Sequence, residues 1–191
     1  MKRKMMQGLC LIFFFALLSI SVLAHAEVKK PVDDNRAPIV KETEFAWKRD
    51  KKWTLEYVDA MPENALNFKP TAEVRSFAEQ MLHLAFWNYG LIEAAGGKAN
   101  PYGKKQEDLE KRDDMKTKAA LRKVVAESYD VVLAEMTGLT EAKMLEQVSF
   151  FGRKFTRLTV FGIVLDHQTH HRGQMTTYLR LKGVTPPLES K

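Results

Sequence analysis

Cysteine is nearly absent from this sequence of 191 residues, which has a single one, Cys10. That cysteine lies in an apolar run near the N-terminus, so residues 27–191 contain none. A segment without cysteine has no disulfide framework, no thiol nucleophile and no thiolate ligand for a metal. Any metal site or nucleophile in residues 27–191 must therefore use other side chains.

Acidic residues are missing from the first 26 positions, which carry three basic residues near their start and then an apolar run from Leu9 to Ala24. The run ends in Ala24-His25-Ala26, the small-x-small pattern that signal peptidase accepts. We predict that residues 1–26 are a secretory signal peptide cleaved before Glu27, which makes the mature protein periplasmic or secreted. The alternative is an uncleaved membrane anchor, but a spanning helix needs roughly 20 apolar residues and this run is shorter.

The sequence also lacks a strong excess of either charge. Its formal net charge of +6 falls to +3 when the three basic residues of the first 26 positions are removed. This excess is too weak to indicate binding to nucleic acid. We expect a small-molecule substrate or ligand as the partner, with no nucleic acid and no membrane after signal cleavage.

Alternating polar and apolar residues, the pattern typical of β-strands, are rare after the N-terminal region. Helical spacing instead predicts four long helices, over Ile39–Ala60, Ser76–Gly96, Lys118–Thr137 and Thr156–Lys182. On the first of these helices, Ala46, Trp53 and Tyr57 share one face. Ser76 and Glu79 fit a capping box at the start of the second helix, and Gly183 is placed to end the fourth.

Four long helices in a domain of about 150 residues predict an all-α fold, a four-helix bundle with long inter-helix connections. We assign this bundle to residues 38–187, preceded by a polar leader at 27–37 and followed by a tail at 188–191. The connection at 98–116 is rich in charge and long enough to be either a functional cover or a mobile segment. Residues 148–151, with the sequence VSFF, are compatible with a short extended piece.

Histidine is scarce, yet three of the five histidines, His167, His170 and His171, fall within five positions on the fourth helix. With Gln174 they continue the helix face that carries the apolar residue Val164. A polar group buried without a partner costs roughly 1–3 kcal/mol. These imidazoles must therefore hydrogen-bond to one another, line a wet cavity or bind a ligand.

A metal ion is the most economical ligand for this face. Histidines four positions apart on a helix, such as His167 and His171, can present two nitrogens to one ion. His83 is the only other histidine in residues 27–191, and bundles build metal sites from inward side chains on facing helices. Three neutral imidazoles leave an open position, as in catalytic zinc sites. His170 is less well aimed at the same ion, and we interpret it as a residue that supports a ligand from outside the metal site or lines the cavity.

Three segments resemble the DinB-like family, the damage-inducible, metal-binding four-helix bundles, which are distinct from the DNA polymerase of the same name. The segment HQTHHRGQMTTYLRLKGVTPP at 167–187 resembles its C-terminal signature. SFAEQMLHLAFWNYG at 76–90 resembles its second-helix motif, and YVDAMPENALNFKP at 57–70 resembles its first connection. The resemblance runs from about Ile39 to Pro187.

The resemblance implies an all-α bundle, often a homodimer, with a divalent metal held by three histidines. Position by position, these histidines are His83, His167 and His171. It implies no catalytic role for Arg172, Gly173 or Gln174; we expect Arg172 to point toward a helix end or an acidic partner. Gly173 is expected to lie where a neighbouring helix approaches closely.

Some related bundles are enzymes that use a low-molecular-weight thiol. The predicted signal peptide would take this chain out of the cytoplasm, where such thiols are kept reduced, which argues against a thiol transferase.

Three functional hypotheses follow from these residues. The first is a metal-dependent hydrolase or transferase that acts on a small molecule through zinc, nickel or another divalent ion, with Glu79 or His170 as candidate proton carrier. The second is a non-enzymatic envelope bundle that binds the metal or a small ligand. The third is a structural bundle in which the histidines satisfy one another.

Overall fold

The computed structural model describes residues 36–187. The predicted signal peptide at 1–26, all but the end of the leader at 27–37 and the tail at 188–191 lie outside these residues. In chain order the elements are helices α1 (Pro38–Ala60), α2 (Phe77–Ala94), α3 (Glu107–Glu110), α4 (Lys118–Thr137) and α5 (Glu141–Leu145), strands β1 (Gln147–Phe150) and β2 (Arg153–Thr156), and helix α6 (Arg157–Leu181).

Three of the four long helices, α2, α4 and α6, begin at a side chain that caps them, whereas α1 has no side-chain cap and carries Pro38 in its first turn. Ser76 and Glu79 form the predicted capping box: the Ser76 hydroxyl accepts from the Glu79 amide, and the Glu79 carboxylate accepts from the Ser76 amide. The hydroxyls of Thr117 and Thr156 cap α4 and α6 by accepting from the amides of Ala120 and Thr159, without the reciprocal bond of a capping box. These side chains satisfy backbone N–H groups that have no partner within the helix.

The long helices pack as a bundle in which α1, α4, α2 and α6 follow one another around the core. Helix α2 therefore lies between α4 and α6, as required if His83 is to meet the histidines of the last helix. The centre of the core is aromatic: Trp47 packs edge-on against Tyr129 and Phe161, with ring centroids 5.8 and 6.2 Å apart. The predicted all-α four-helix bundle is thus confirmed.

The buried face of α1 differs from the face singled out in the sequence. Tyr57 is buried, but Ala46 and Trp53 are only half-buried, and Trp47 is the residue that enters the core. Helical spacing alone does not distinguish two tryptophans that lie on adjacent faces. The Trp53 ring instead lies near the Arg49 guanidinium, 4.9 Å from its centroid.

The connections also contain secondary structure. The segment 98–116 contains α3, whose Leu109 and Glu110 are buried against the bundle. The expected extended piece near residue 148 is strand β1, which pairs antiparallel with β2 through a turn at Phe151–Gly152. Within residues 36–187, no helix has the length and apolar character needed to cross a membrane.

Candidate metal centre

The three histidines predicted to bind a metal meet in the interior of the bundle. His83 comes from α2, and His167 and His171 come from adjacent turns of α6. His83 and His171 are 5% and 8% exposed, and His167 is half-buried. One ring nitrogen from each histidine lies within 4.8 Å of those of the other two. The predicted packing of His83 against the HxxxH pair is confirmed.

A carboxylate from the connection holds the His83 ring. The Nδ1–H of His83 donates to Glu110 Oε1 over 2.6 Å, and Arg75 Nε donates to Glu110 Oε2 over 2.8 Å. Burial opposes ionisation of Glu110, but the bonds from His83 and Arg75 outweigh it and lower the pKa of this carboxyl. A carboxylate bonded to Nδ1 orients the ring so that Nε2 faces the other histidines.

A chain of amides holds the His171 ring. Its Nδ1–H donates to Gln80 Oε1 over 2.7 Å, and Gln80 Nε2 donates to Gln174 Oε1 over 3.0 Å. Gln174 Nε2 in turn donates to Nε2 of His170 over 2.9 Å. Because Gln80 can accept only through its oxygen, this chain fixes the proton of His171 on Nδ1 and leaves Nε2 free to bind a ligand.

His167 is held differently from the other two histidines. Its Nε2 lies 3.1 Å from Nε2 of His83, and its Nδ1 is buried without a hydrogen-bond partner. Since Glu110 takes the Nδ1–H of His83, the bare Nε2 of His83 accepts from the Nε2–H of His167. Binding of a cation by both Nε2 atoms would require His167 to move its proton to Nδ1.

The site favours neutral imidazoles. Burial, together with the neighbouring histidines, lowers the pKa of His167 to about 3. Burial, with His83 and His170 nearby, lowers the pKa of His171 to about 4. Metal ligation requires the neutral imidazole. At neutral pH both rings are already neutral, so neither has to release a proton from a charged form before it binds an ion.

These donors fit a divalent ion. Three nitrogens at about 2.0–2.1 Å from a tetrahedral ion lie roughly 3.3 Å from one another, and two of them are already 3.1 Å apart. Two of the three rings have an outer hydrogen-bond acceptor, Glu110 or Gln80, as histidine ligands of metals commonly do. The cluster is therefore compatible with metal binding, and its imidazole donors suit several divalent ions.

The two candidate proton carriers are placed away from the centre of this cluster. Glu79 caps α2, and its carboxylate also contacts Lys69 at 3.3 Å and Lys116 at 3.6 Å. His170 is exposed, and it reaches His171 through the two glutamine amides described above. Their catalytic role stays a prediction.

The residues beside the histidines on α6 met one of two expectations. Arg172 is buried against an acidic partner, Asp50 of α1. The expectation for Gly173 was wrong: it lies on the exposed face, and a Cβ built there would meet nothing within 4 Å. No neighbouring helix approaches Gly173 because this side of α6 faces away from the bundle.

Sequence reasoning missed the outer partners of the histidines. Glu110 and Arg75 lie in connections, where no periodicity indicates which side chain turns inward. Gln80 had a detectable signal, because it precedes His83 by three positions and so shares its helix face.

Two cavities of different character adjoin the histidines. A polar one of about 720 Å³ is bordered by Arg75, Gln80, Glu110, His171, Gln174 and Tyr178, among others. A smaller one of about 220 Å³ is bordered by His83, His167 and a set of mostly apolar side chains.

A helical bundle that gathers three histidines from two facing helices defines a class of candidate metal-binding proteins. Within that class, residues 46–175 match the model of the DinB superfamily, which covers more than half of the chain. The protein therefore belongs to the DinB superfamily.

Individual relatives agree with this assignment. The chain is 27% identical to the uncharacterized protein YjoA of Bacillus subtilis (strain 168) over 134 residues, which cover 69% of this chain and 83% of YjoA. A DinB-like protein from Bacillus cereus ATCC 10987 has a similar fold, with a TM-score of 0.65, 18% identity, and coverage of 77% of this chain and 95% of that one.

A further structural neighbour, YfiT from Bacillus subtilis, has a TM-score of 0.62 and 16% identity, and the match covers 81% of this chain and 93% of YfiT. YfiT is described as a probable metal-dependent hydrolase with an unusual four-helix bundle topology. At these identities the structural matches establish the fold.

Proposed function

We propose that this protein binds a divalent metal ion, zinc or nickel, through His83, His167 and His171, and uses it to hydrolyse a small molecule or transfer a group from it. One observation carries the proposal: three ring nitrogens converge, and outer acceptors fix the proton of two of the rings on the side away from the point of convergence. Histidine ligands of metals are commonly held in this way, by outer acceptors that bind the ring nitrogen opposite the ligating one.

The chain supplies the ligands, their orientation and room for a substrate. Glu110 and Gln80 hold two imidazoles in the tautomer that a metal requires. When bound, a divalent ion would supply Lewis acidity to a carbonyl group or to water. Arg75 and Gln174 border the polar cavity beside His171, where they can contact the polar part of a small substrate.

Two features support hydrolysis in particular. Three protein ligands leave a coordination position for water or substrate, as in catalytic zinc sites. The neighbour YfiT, which shares the fold, is described as a probable metal-dependent hydrolase. Glu79 and His170 remain the candidate proton carriers. The predicted export of the mature chain, and a homodimer such as the family resemblance implies, are part of the same proposal.

A metal- or ligand-binding protein without catalysis is the second candidate. It is favoured by the engagement of Glu79, whose carboxylate caps α2 and pairs with lysines. In that case the cavities would hold a ligand without converting it.

The decisive experiment is elemental analysis of the mature protein purified without a histidine tag, followed by a screen of small esters, amides and lactones with and without added zinc or nickel. We expect about one ion per chain, and turnover that disappears in His83→Ala. Stoichiometric metal with saturable ligand binding but no turnover would favour the second candidate. Protein that takes up no divalent metal and binds none of the screened small molecules would refute both and favour the structural bundle.

A further inference from the structure

The turn between β1 and β2 has an unusual residue at its tip. Phe151 and Gly152 form a two-residue turn in which both residues have positive φ, 50° and 71°. Turns of this kind strongly prefer Asn, Asp or Gly at the first position. A bulky side chain with positive φ is strained. The stability of the hairpin therefore does not explain Phe151.

Phe151 is also poorly placed for the hydrophobic core, since 69% of its surface is exposed. Its ring instead contacts two aromatic neighbours: the centroid lies 4.4 Å from that of Phe150 and 5.1 Å from that of Trp87. A strained and exposed aromatic residue is a reason to look for a function at that position.

The Phe151 ring forms one wall of the smaller cavity beside the histidines. The other apolar walls come from three elements, with Trp87 on α2, Phe150 on β1, and Ile163 and Val164 on α6. His83, His167 and Gln106 form the remaining, polar wall, so the apolar space adjoins two of the three candidate metal ligands. At about 220 Å³, the cavity exceeds the roughly 150 Å³ that suffices to bind benzene in a protein interior.

The two sides of the centre differ in the chemistry they offer. The larger cavity presents Arg75, Gln80 and Gln174 near His171, whereas the smaller one presents aromatic rings near His167. A substrate that fills both sides must be polar at one end and apolar at the other.

We propose that Phe151 and Trp87 form an aromatic pocket that selects substrates with an apolar, ring-sized group next to the metal-binding imidazoles. This inference rests on the proposed function only for the metal; the pocket itself consists of protein side chains. Phe151 acts as a specificity-determining residue, and its positive φ is retained because it places the ring over the cavity.

The test uses two probes that share a metal-binding head. Benzohydroxamate and acetohydroxamate differ in having a phenyl or a methyl group, and each is titrated by calorimetry into the zinc-loaded protein. We expect benzohydroxamate to bind at least about tenfold more tightly, because its ring leaves water for an apolar pocket. Equal affinities for the two probes would overturn the proposal.

The variant Phe151→Asn separates recognition from folding. Asparagine suits the first position of this turn, so the melting temperature should be unchanged or higher. We expect the zinc affinity and the acetohydroxamate affinity to stay the same while the advantage of benzohydroxamate falls at least about threefold. An undiminished advantage would refute the role of Phe151. Phe45→Asn makes the same exchange at another exposed phenylalanine, 61% exposed on α1, and should leave both affinities unchanged.

Failure of the metal function gives a different pattern from failure of the pocket. If zinc itself does not bind, the hydroxamates cannot report on the pocket, and benzyl alcohol is titrated into the metal-free protein while the Trp87 indole N–H is followed by NMR. A saturable shift that weakens at least threefold in Phe151→Asn would support the pocket without the metal. The absence of any shift would overturn it.

Discussion

Two polar clusters are buried in the same bundle, on different sides of α6, and they are organised differently. The Asp50 cluster joins α1, α4 and α6: Arg172 donates to Asp50 Oδ1 and to Thr54 Oγ1, and the hydroxyl of Tyr129 donates to Asp50 Oδ2 over 2.6 Å. The histidine cluster joins α2 to α6 and consists of His83, His167 and His171.

The difference lies in how each cluster satisfies its charges and hydrogen bonds. In the Asp50 cluster one carboxylate faces one guanidinium, and both carboxylate oxygens accept hydrogen bonds from other members of the cluster. The guanidinium also donates to Thr169 Oγ1 over 3.4 Å. In the histidine cluster the ring nitrogens face one another, and Nδ1 of His167 has no partner. A closed network stabilises one arrangement of helices, whereas an incomplete one indicates a site that something else completes.

Breaking the closed network should have the largest effect on stability. Arg172→Met leaves the carboxylate of Asp50 buried without its counter-charge, which typically costs about 3–5 kcal/mol. We expect the free energy of unfolding, measured with urea, to fall by that amount. Replacing both charges, with Asp50→Leu and Arg172→Met together, should recover part of the loss. If Arg172→Met were as stable as the wild type, the contrast between the two clusters would not hold.

Removing a ligand from the open cluster should affect metal binding rather than folding. We expect zinc affinity to fall more than about 100-fold in each of the variants His83→Ala, His167→Ala and His171→Ala. Loss of a ligand should cost more than loss of an outer hydrogen-bond partner, which lowers metal affinity by at most about 100-fold. The metal-free variants should unfold at about the wild-type temperature, and added zinc should raise the melting temperature of the wild type but not of these three variants. Zinc-dependent stabilisation that persists in all three variants would show that the ion binds elsewhere.

Changing an outer partner should have an intermediate effect. Glu110→Gln keeps the size of the side chain but removes the charge that orients His83, and zinc affinity should fall about 10–100-fold. Isothermal titration with zinc measures the change. Glu107→Gln, the same exchange on the exposed side of α3, serves as the control and should bind zinc like the wild type.

The metal-free protein should lose stability in acid because of the histidines. His167 and His171 have folded-state pKa values of about 3 and about 4, below the roughly 6.5 of an unfolded chain. The unfolded state therefore binds more protons between these values, and stability decreases as the pH falls from about 6.5 toward 4. Each histidine lowers the free energy of unfolding by at most about 1.4 kcal/mol for each pH unit of this fall.

Urea unfolding at several pH values tests this dependence. His167→Gln removes one of the two titrating groups, so its stability should change less steeply between pH 6.5 and 4. A wild-type protein whose stability is flat over this range would mean that the imidazoles are not held neutral.

The smallest effect is expected at His170. The His170 ring packs edge-on against His171 with centroids 5.1 Å apart, but its hydrogen-bond path to that ligand runs through two amides. His170→Ala should therefore lower zinc affinity by less than about tenfold, the smallest loss expected for an outer partner. The zinc-induced rise in melting temperature should persist in this variant. A loss as large as that of His171→Ala would identify a different ligand pair on α6.

Local sequence patterns predicted most of the fold. The capping box at Ser76, the four-residue spacing of His167 and His171, and the stop at Gly183 depend on contacts within about one helical turn. Such contacts are repeated in every helix of this kind, so the residues alone indicate them. The candidate ligands could be chosen because histidine is scarce and these positions share helix faces.

Only the tertiary structure decided which residues complete the site. Glu110 is 27 positions from His83 in sequence, and nothing in its local pattern distinguishes it from the other acids of the same connection. Trp47 lies in the core where Trp53 does not, and Phe151 lines the cavity beside His83 and His167, because the packing of whole helices and of the hairpin places them there. Long-range contacts depend on the mutual orientation of elements, whereas sequence periodicity determines only the face of each element by itself.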